Sequence, residues 1–406
     1  MDVLNVNEKI FIDNSIVHTE FHSYEPYLPT KLGNNDEIII PIHEIDKYTL
    51  PCDSYLYIEG KLTKSDGTIS TTAHLINNGI AFLFRELRYQ LNGVTIDFVR
   101  DVGLTSTLKA YLSYNTNECT RLKNAGWNPL ESNNKSLVNI KHGSFNVCIP
   151  LKFLMGFFED YKKIILNCKQ ELILIRDNSD TNAIITTDKN ETVKIILDKL
   201  TWNMPHVSVG IPQELSLTKL IDRNTDIVMA FRSWELVEYP ELLKTNRHNW
   251  SVKTSTKVET PRHIILAFQI SKRDEKTEDM SQFNDIGLRN VKVFLNAERY
   301  PYNDLNLDME NDKFAVLYDM YSQFQSAYYG TKPEPVFDPA NFHKLAPIVY
   351  INCLYQKDFL QAGAPVVMRV EFDLKKDLDK NTSAYCLILH DKIFSYNPLT
   401  KIVKQL

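Results

Sequence analysis

The chain has 406 residues and a net charge of −5, with 43% hydrophobic and 24% charged residues. These are ordinary globular values, and the length exceeds what one hydrophobic core serves, so we expect two domains of about 200 residues. The negative charge excludes a protein that is basic throughout, as many nucleic-acid-binding proteins are.

The first twenty residues predict an arm, residues 1–20, that precedes the folded domains. The arm is polar apart from Ile10 and Ile12, and it lacks the basic and apolar regions of a signal peptide. His18 and His22 have the i, i+4 spacing of a zinc site. Their segment reads as extended, which would hold the two rings too far apart to chelate, so we interpret them as surface or packing histidines.

Short apolar runs bounded by Asn, Asp, Gly or Pro predict the strands of a first domain over residues 21–210. Only the tyrosine-bearing segment 104–114 has the apolar spacing of a helix. The predicted strands are residues 37–41, 55–60, 83–91, 145–151, 164–167, 171–176 and 193–197.

An extended, proline-containing stretch follows, and we place a linker at residues 211–225. A second domain is predicted over residues 226–400, with a short tail at 401–406 and one helix at 314–324. Its predicted strands are residues 226–231, 265–270, 288–295, 348–354, 366–372 and 385–390.

The two halves repeat the same features in the same order. A strand ending in a Leu-Asn turn occurs at Asn92 and again at Asn296, about half the chain later. Three further features recur at similar offsets: the strand before this turn, the tyrosine-bearing helix after it, with Tyr111 and Tyr321, and the strand that follows the helix. This indicates a duplicated domain. Many short strands with polar connections predict an all-β sandwich or barrel in each half, with one short helix per half.

No residue pattern indicates a catalytic, cofactor-binding or metal site, and we predict none of these and no enzyme activity. Phosphate-binding loops, nucleophile elbows and H-x-H metal signatures do not occur. None of the six cysteines forms a C-x-x-C pair and several lie in apolar runs, which favours a reducing compartment. No run is long and apolar enough to span a membrane.

Three further groups have ordinary interpretations. The acidic run 275–279 reads as a solvated loop. The basic cluster 244–250 could touch phosphate, although exposed loops often carry such clusters. The aromatic residues Tyr318, Tyr321, Phe324, Tyr328 and Tyr329 could stack on nucleic-acid bases, but at helical spacing they fit a packed face or a subunit contact better.

Residues 77–96, NNGIAFLFRELRYQLNGVTI, followed by the tyrosine-rich 108–115, resemble a pattern in major capsid proteins of Polinton/Maverick elements, adintoviruses and virophages. The earlier strand 53–62 is similar to the one that precedes this pattern in the family. The resemblance implies an all-β double jelly roll: two tandem eight-stranded antiparallel β-sandwiches. It also implies homotrimers with six similar barrels in a ring, which tile an icosahedral shell around a double-stranded DNA genome.

The resemblance further implies where the chain acts and what it contacts. We expect localisation in the virion capsid after production in the host cytoplasm or nucleus, with no cofactor. Expected partners are further copies of the chain, a penton or minor capsid protein that meets the N-terminal arm, and DNA. Because the chain is acidic, we expect the DNA contact to be weak and without sequence preference. The alternatives are a lectin-like trimeric binding module, a host-adopted capsid derivative and, less favoured, an enzyme built on a β-sandwich.

Overall fold

The computed structural model describes residues 15–27, 32–43, 48–130, 137–139, 141–253, 261–296, 298–354 and 367–406. The first eleven strands are β1 (Ile16–Tyr24), β2 (Glu37–Ile42), β3 (Tyr48–Thr49), β4 (Tyr55–Lys64), β5 (Ala73–Leu75), β6 (Phe84–Leu91), β7 (Val94–Arg100), β8 (Ser144–Pro150), β9 (Gln170–Arg176), β10 (Ile184–Thr186) and β11 (Val193–Val209). The later strands are β12 (Ile227–Tyr239), β13 (Arg247–Val252), β14 (Pro261–Ile270), β15 (Leu288–Leu295), β16 (Glu298–Tyr300), β17 (Val349–Asn352), β18 (Met368–Leu374), β19 (Thr382–Tyr396) and β20 (Val403–Gln405). The α-helices are α1 (Val102–Ser113), α2 (Thr116–Leu122), α3 (Gly156–Asp160), α4 (Ile211–Asp222), α5 (Ala315–Ser322), α6 (Phe324–Tyr329) and α7 (Pro339–Leu345).

The first half is a jelly roll of two facing antiparallel sheets. One sheet has the order β1-β11-β4-β8, with the short β3 beside β11, and the other has the order β2-β9-β6-β7. A separate ribbon pairs β5 with β10 outside these sheets. The two main sheets therefore contribute four strands each to an eight-stranded sandwich.

The second half repeats this arrangement strand for strand. One sheet has the order β12-β19-β14-β17, with β20 added beside β19, and the other has the order β13-β18-β15-β16. Each strand occupies the sheet position of its counterpart in the first half. The identical order confirms the predicted duplication and the all-β double jelly roll.

The predicted Leu-Asn turns lie at equivalent places. Asn92 and Asn296 both adopt positive φ, 48° and 54°, directly after β6 and β15, where the chain turns toward β7 and β16. Their hydrogen bonds also match. The Asn92 amide donates to the Lys169 carbonyl at 2.9 Å and its side chain accepts from the Lys169 amide at 3.0 Å; Asn296 makes the same two bonds, at the same lengths, with Val367.

Alternating apolar residues build the core. On β4, Leu56, Ile58, Gly60 and Leu62 are buried, and the residues that stand between them are exposed or half-buried, as the two-residue period of a strand requires. One continuous apolar cluster includes residues of both jelly rolls. The halves are consequently packed against each other and share buried surface.

Several details differ from the sequence-based expectations. The helices α1, α2 and α3 lie in the first half and α5, α6 and α7 in the second, so one helix per half was an underestimate. Residues 164–167 form no strand; Ile165 makes only an isolated bridge to Thr49. The predicted linker 211–225 contains α4, and β20 lies in the predicted tail. Helices α1 and α5 correspond to the two predicted segments; the others were missed because most belong to the long loops, whose local patterns are weaker than the strand alternation.

The predicted arm is described only in part. β1 begins at Ile16 and pairs with β11 of the same chain, so residues 16–20 belong to the first sheet. Ile10 and Ile12 lie outside the described residues.

Candidate functional site

The histidine pair considered for zinc lies on an exposed strand. His18 and His22 flank Glu20 on β1, with His22 Nε2 2.7 Å from the Glu20 carboxylate and His18 Nε2 3.6 Å from it. The His22 ring lies 4.3 Å from the ring of His206 on β11. Within the described part of the chain, no group of three or more His, Cys, Asp or Glu residues is placed to hold a metal ion.

The acidic run predicted to be a solvated loop is a loop in which Glu275 and Glu278 are exposed, as that interpretation requires, but the interpretation was wrong for Asp279, which is buried. It belongs to the loop between β14 and β15, which docks on the first jelly roll. Asp274 and Asn182 exchange two hydrogen bonds, and Lys276 Nζ donates to the Glu191 carbonyl at 2.8 Å. Asp279 is buried and accepts from the Ser281 amide and hydroxyl; burial raises its pKa.

The predicted aromatic face lies at the junction between the two jelly rolls. Helix α1 of the first half is buried along its whole length and packs against α6 and β12 of the second half. The Tyr321 hydroxyl donates to the Tyr111 carbonyl at 2.9 Å, so the two tyrosines that marked the repeat in sequence contact each other. The interpretation as a packed face is confirmed.

A buried lysine occupies the centre of this junction. Lys109 Nζ, on α1, donates to Ser113 Oγ at 2.8 Å, to the Tyr329 hydroxyl at 2.8 Å and to Glu159 Oε1 at 3.1 Å. It also lies 4.8 Å from the Trp234 ring centroid and 4.2 Å from that of Tyr328. Burial lowers the pKa of Lys109, and the Glu159 carboxylate opposes that effect. Charge-assisted bonds and aromatic faces together compensate for the desolvation of the ammonium group.

A two-pronged ion pair links the halves beside this lysine. Arg232 on β12 donates through Nε and Nη2 to Asp160 at 2.8 and 2.6 Å, and its Nη1 donates to the Tyr328 carbonyl at 2.6 Å. The guanidinium group lies 3.4 Å from the Tyr328 ring centroid. Burial would lower the pKa of Arg232, but the bonds to Asp160 outweigh it and the pKa is raised. This fork geometry fixes orientation as well as distance.

Close backbone approach at the same place requires glycine. A Cβ atom on Gly156, the first residue of α3, would lie 1.7 Å from the Arg232 carbonyl oxygen. Nearby, the buried Asp97 of β7 accepts from the Phe157 amide at 3.0 Å and from Ser233 Oγ at 2.6 Å. The middle of the junction is therefore a dense hydrogen-bonded contact, which the sequence did not reveal because its members are far apart along the chain.

Both ends of the junction are tied as well. At one end, Arg273 bonds to Glu238 and, at 3.1 Å, to Asp101 of the first half. At the other end, Asn167 Nδ2 donates to the Pro398 carbonyl at 2.7 Å and Asn92 Nδ2 to the Lys401 carbonyl at 2.9 Å. These bonds span the length of the two barrels. The arrangement can hold two jelly rolls as one block.

Two apolar surfaces face away from the junction. The outer strand β1 exposes Ile16, Val17 and Phe21, and α4 has no buried residue although it carries Ile211 and Leu215. Exposed apolar patches of this kind mark contact surfaces more often than chance. Among the described helices, none has the length and apolarity that crossing a membrane requires.

Comparisons with known proteins agree with this architecture. The family model described as "Double jelly roll-like domain" matches residues 73–394, well over half of the chain. A comparison with curated protein sequences finds no match.

Solved structures extend the similarity across almost the whole chain. The Faustovirus major capsid protein aligns with a TM-score of 0.63 at 10% identity, covering 97% of this chain and 92% of that one. The mavirus major capsid protein aligns with a TM-score of 0.57 at 12% identity, covering 99% and 92%. A chain from the cryo-EM structure of the Sputnik virophage aligns with a TM-score of 0.57 at 8% identity, covering 99% and 91%. At these identities the similarity demonstrates a common fold.

Proposed function

The chain belongs to the double jelly roll-like domain family, and from this membership we propose that it is a major capsid protein, with a structural and not an enzymatic role. The observation that carries the proposal is the junction: two jelly rolls of identical strand order are fixed side by side by buried ion pairs. A shell subunit needs a rigid, repeated outline more than it needs reactive groups. The similar solved structures of capsid proteins support the same role.

We propose that three chains associate as a homotrimer. Two similar barrels per chain give six similar barrels around a threefold axis, and such a pseudo-hexagonal block can tile an icosahedral shell. The apolar outer strand β1 and helix α4 are candidate contact surfaces for this assembly. A stable trimer should bury well above about 1,000 Å² per interface.

The remaining assignments depend on this role. The protein resides in the virion after synthesis in the host cell, and the shell encloses double-stranded DNA encoded by a Polinton/Maverick-like element. The part of the predicted N-terminal arm that precedes β1 contacts a neighbouring subunit or a penton or minor capsid protein. The net charge of −5 favours weak, salt-sensitive DNA contact, so separate basic proteins would retain the genome.

Electron microscopy of the purified protein, combined with light scattering, tests the proposal. We expect hexagonal trimers and, at high concentration, closed shells or flat hexagonal arrays. A strict monomer at micromolar concentration under all salt and pH conditions would contradict it. Carbohydrate-array binding without any assembly would favour the lectin-like alternative.

A further inference from the structure

A polar cleft of about 410 Å³ opens at one end of the second jelly roll. It lies where β13 and β15 begin and β18 ends, on the opposite end of the barrel from the Asn296 turn. Four basic side chains line it, against two acidic ones; the basic residues are Arg247, Arg289, Lys313 and Lys375. This is a concentration of positive charge on a chain whose net charge is −5.

Most of this positive charge is uncompensated. Arg247, Arg289 and Lys313 are exposed, and none of them forms an ion pair with any carboxylate in the described ranges. The two acids of the cleft are already engaged. Asp308 bonds to Lys375, and Asp373 accepts from Asn290 Nδ2 at 3.1 Å. An incoming anion would therefore meet three cations, Arg247, Arg289 and Lys313, that are not held in an ion pair, with the Asp304 carboxylate near Arg289 and Asp373 in the cleft lining as the opposing charges.

The corner that holds the cleft has a counterpart of the same backbone in the first jelly roll. The β6 ladder to β9 and the β15 ladder to β18 each contain a bulge, at Arg85 and Arg289 respectively. The first residue after β9 is Asp177 and the first after β18 is Lys375. The amide of each donates, at 2.9 Å, to the carbonyl of the residue two positions before the bulge, which is Leu83 in the first half and Gly287 in the second. Asp177 and Lys375 are therefore equivalent positions.

The charges at this corner are reversed between the halves. At the end of β9, the Arg176 amide donates to the carbonyl of Asp36, the residue before β2, at 3.0 Å. At the end of β18, the Leu374 amide donates to the carbonyl of Asn246, the residue before β13, at 2.8 Å. Glu37 and Arg247, which begin β2 and β13, are thus also equivalent. Two acidic positions of the first half, Glu37 and Asp177, are basic in the second, as Arg247 and Lys375. At these two positions the fold does not require basic residues, since its own repeat uses acids; at the bulge both halves carry arginine, Arg85 and Arg289.

We propose that this cleft binds a doubly charged oxyanion, a sulfate or phosphate group, between Arg247, Arg289 and Lys313. Guanidinium groups match such oxyanions through paired N–H donors, and the ammonium group adds charge without directional demand. The cleft is larger than one sulfate or phosphate ion, so it has room for a group carried on a larger polar molecule. Binding needs one chain only, so it does not depend on trimer or shell formation.

The test is titration calorimetry on the purified full chain with sodium sulfate and sodium phosphate, at ionic strength held constant with sodium chloride. The double substitution Arg247→Gln and Arg289→Gln should weaken both ions by about tenfold or more, because hydrogen bonds to charged groups are lost. The matched control is Arg85→Gln, an exposed arginine at the equivalent bulge, which should leave binding unchanged. Unaltered unfolding curves for all variants would show that the fold is intact.

A sulfated tetrasaccharide as third titrant separates the two sources of the anion. Tighter binding than inorganic sulfate, lost in the double variant, identifies a group carried on a larger molecule; equal binding identifies the free ion. Equal heats for sulfate and chloride, or equal weakening by Arg85→Gln, would overturn the proposal. If the double substitution weakens the binding of duplex DNA more than the binding of sulfate, the proposal is overturned in favour of a nucleic-acid contact. Shell formation, followed separately by microscopy, tests the proposed function without bearing on this result.

Discussion

The bulged corner of the first jelly roll and its counterpart in the second share a backbone and differ in what lies against them. In the first, Arg273 reaches across from the second half to Asp101, and the pocket that both residues line with Asp177 is about 20 Å³. In the second, no such side chain crosses among the described residues, and a cleft of about 410 Å³ remains beside Arg289.

The difference shows that a charged residue acquires its role from its surroundings. About a third of the Arg273 side chain is exposed (35%), yet it bonds to two carboxylates, Glu238 and Asp101, so it belongs to the junction between the halves. Arg289 occupies a similar corner but faces solvent, so its loss should cost little stability. The duplicated fold thus uses one corner to fix the block and leaves the other accessible to a ligand.

The largest effect is expected at the two-pronged ion pair that crosses the junction, where the Arg232 guanidinium makes two bonds to Asp160. Arg232→Ala leaves Asp160 without its partner at the junction, and we expect a loss of about 3 kcal/mol in the free energy of unfolding. Arg262→Ala is the control, because its pair with Asp391 lies within the second half and is more exposed; about 1 kcal/mol or less is expected. Urea unfolding measures both, and equal losses would remove the distinction between crossing and local pairs.

The two corners can be compared directly through their arginines. Arg273→Ala should cost about 2 kcal/mol, since Glu238 and Asp101 are then left partly buried and unpaired. Arg289→Ala should stay within about 0.5 kcal/mol, as is usual for an exposed position. An equal effect of the two substitutions on the urea midpoint would contradict the claim that Arg273 stabilises the fold and Arg289 does not.

The equivalent turns allow a finer comparison. Asn92→Ala and Asn296→Ala each lose the side-chain bond that clamps the turn and place alanine at positive φ, so about 1 kcal/mol is expected for both. Asn92→Ala should cost slightly more, since its side chain also bonds to the Lys401 carbonyl across the junction. Thermal unfolding of the two alanine variants measures the difference between the turns. Asn296→Asp is the control, because it keeps the side-chain acceptor for the Val367 amide.

The smallest effect is a difference in pH dependence. Burial raises the pKa of Asp101, with Arg273 opposing, so its contribution to stability increases as pH falls through its folded pKa toward the ordinary aspartate value. Bonding to Lys375 lowers the pKa of Asp308 to about 2, so its contribution is present above the ordinary value and is lost as pH falls toward 2. Melting temperatures of Asp101→Asn and Asp308→Asn across pH 2–7 should therefore deviate from the parent chain with opposite slopes. Slopes of the same sign would contradict the assignment.

The sequence was sufficient for the repeat and for most strands. Alternation of apolar residues, as on β4, reflects one buried face, and a Leu-Asn turn at Asn92 and Asn296 reflects the positive φ that asparagine tolerates. Both are local requirements of the chain, so neighbouring residues record them. The double jelly roll, implied by resemblance, is confirmed by the matching strand orders.

The junction and the cleft were decided only by the tertiary structure. Lys109 and Glu159 contact the tyrosines of α6 only after the two jelly rolls pack, and Arg247, Arg289 and Lys313 line one cleft only after the second jelly roll closes. A lysine in a helix looks the same in sequence whether it faces solvent or a ring of aromatic side chains. The local pattern determined which strands form, because backbone pairing follows side-chain alternation. Which charges become buried, paired or open depended on contacts between residues far apart in sequence, and the chain carries no local record of those contacts.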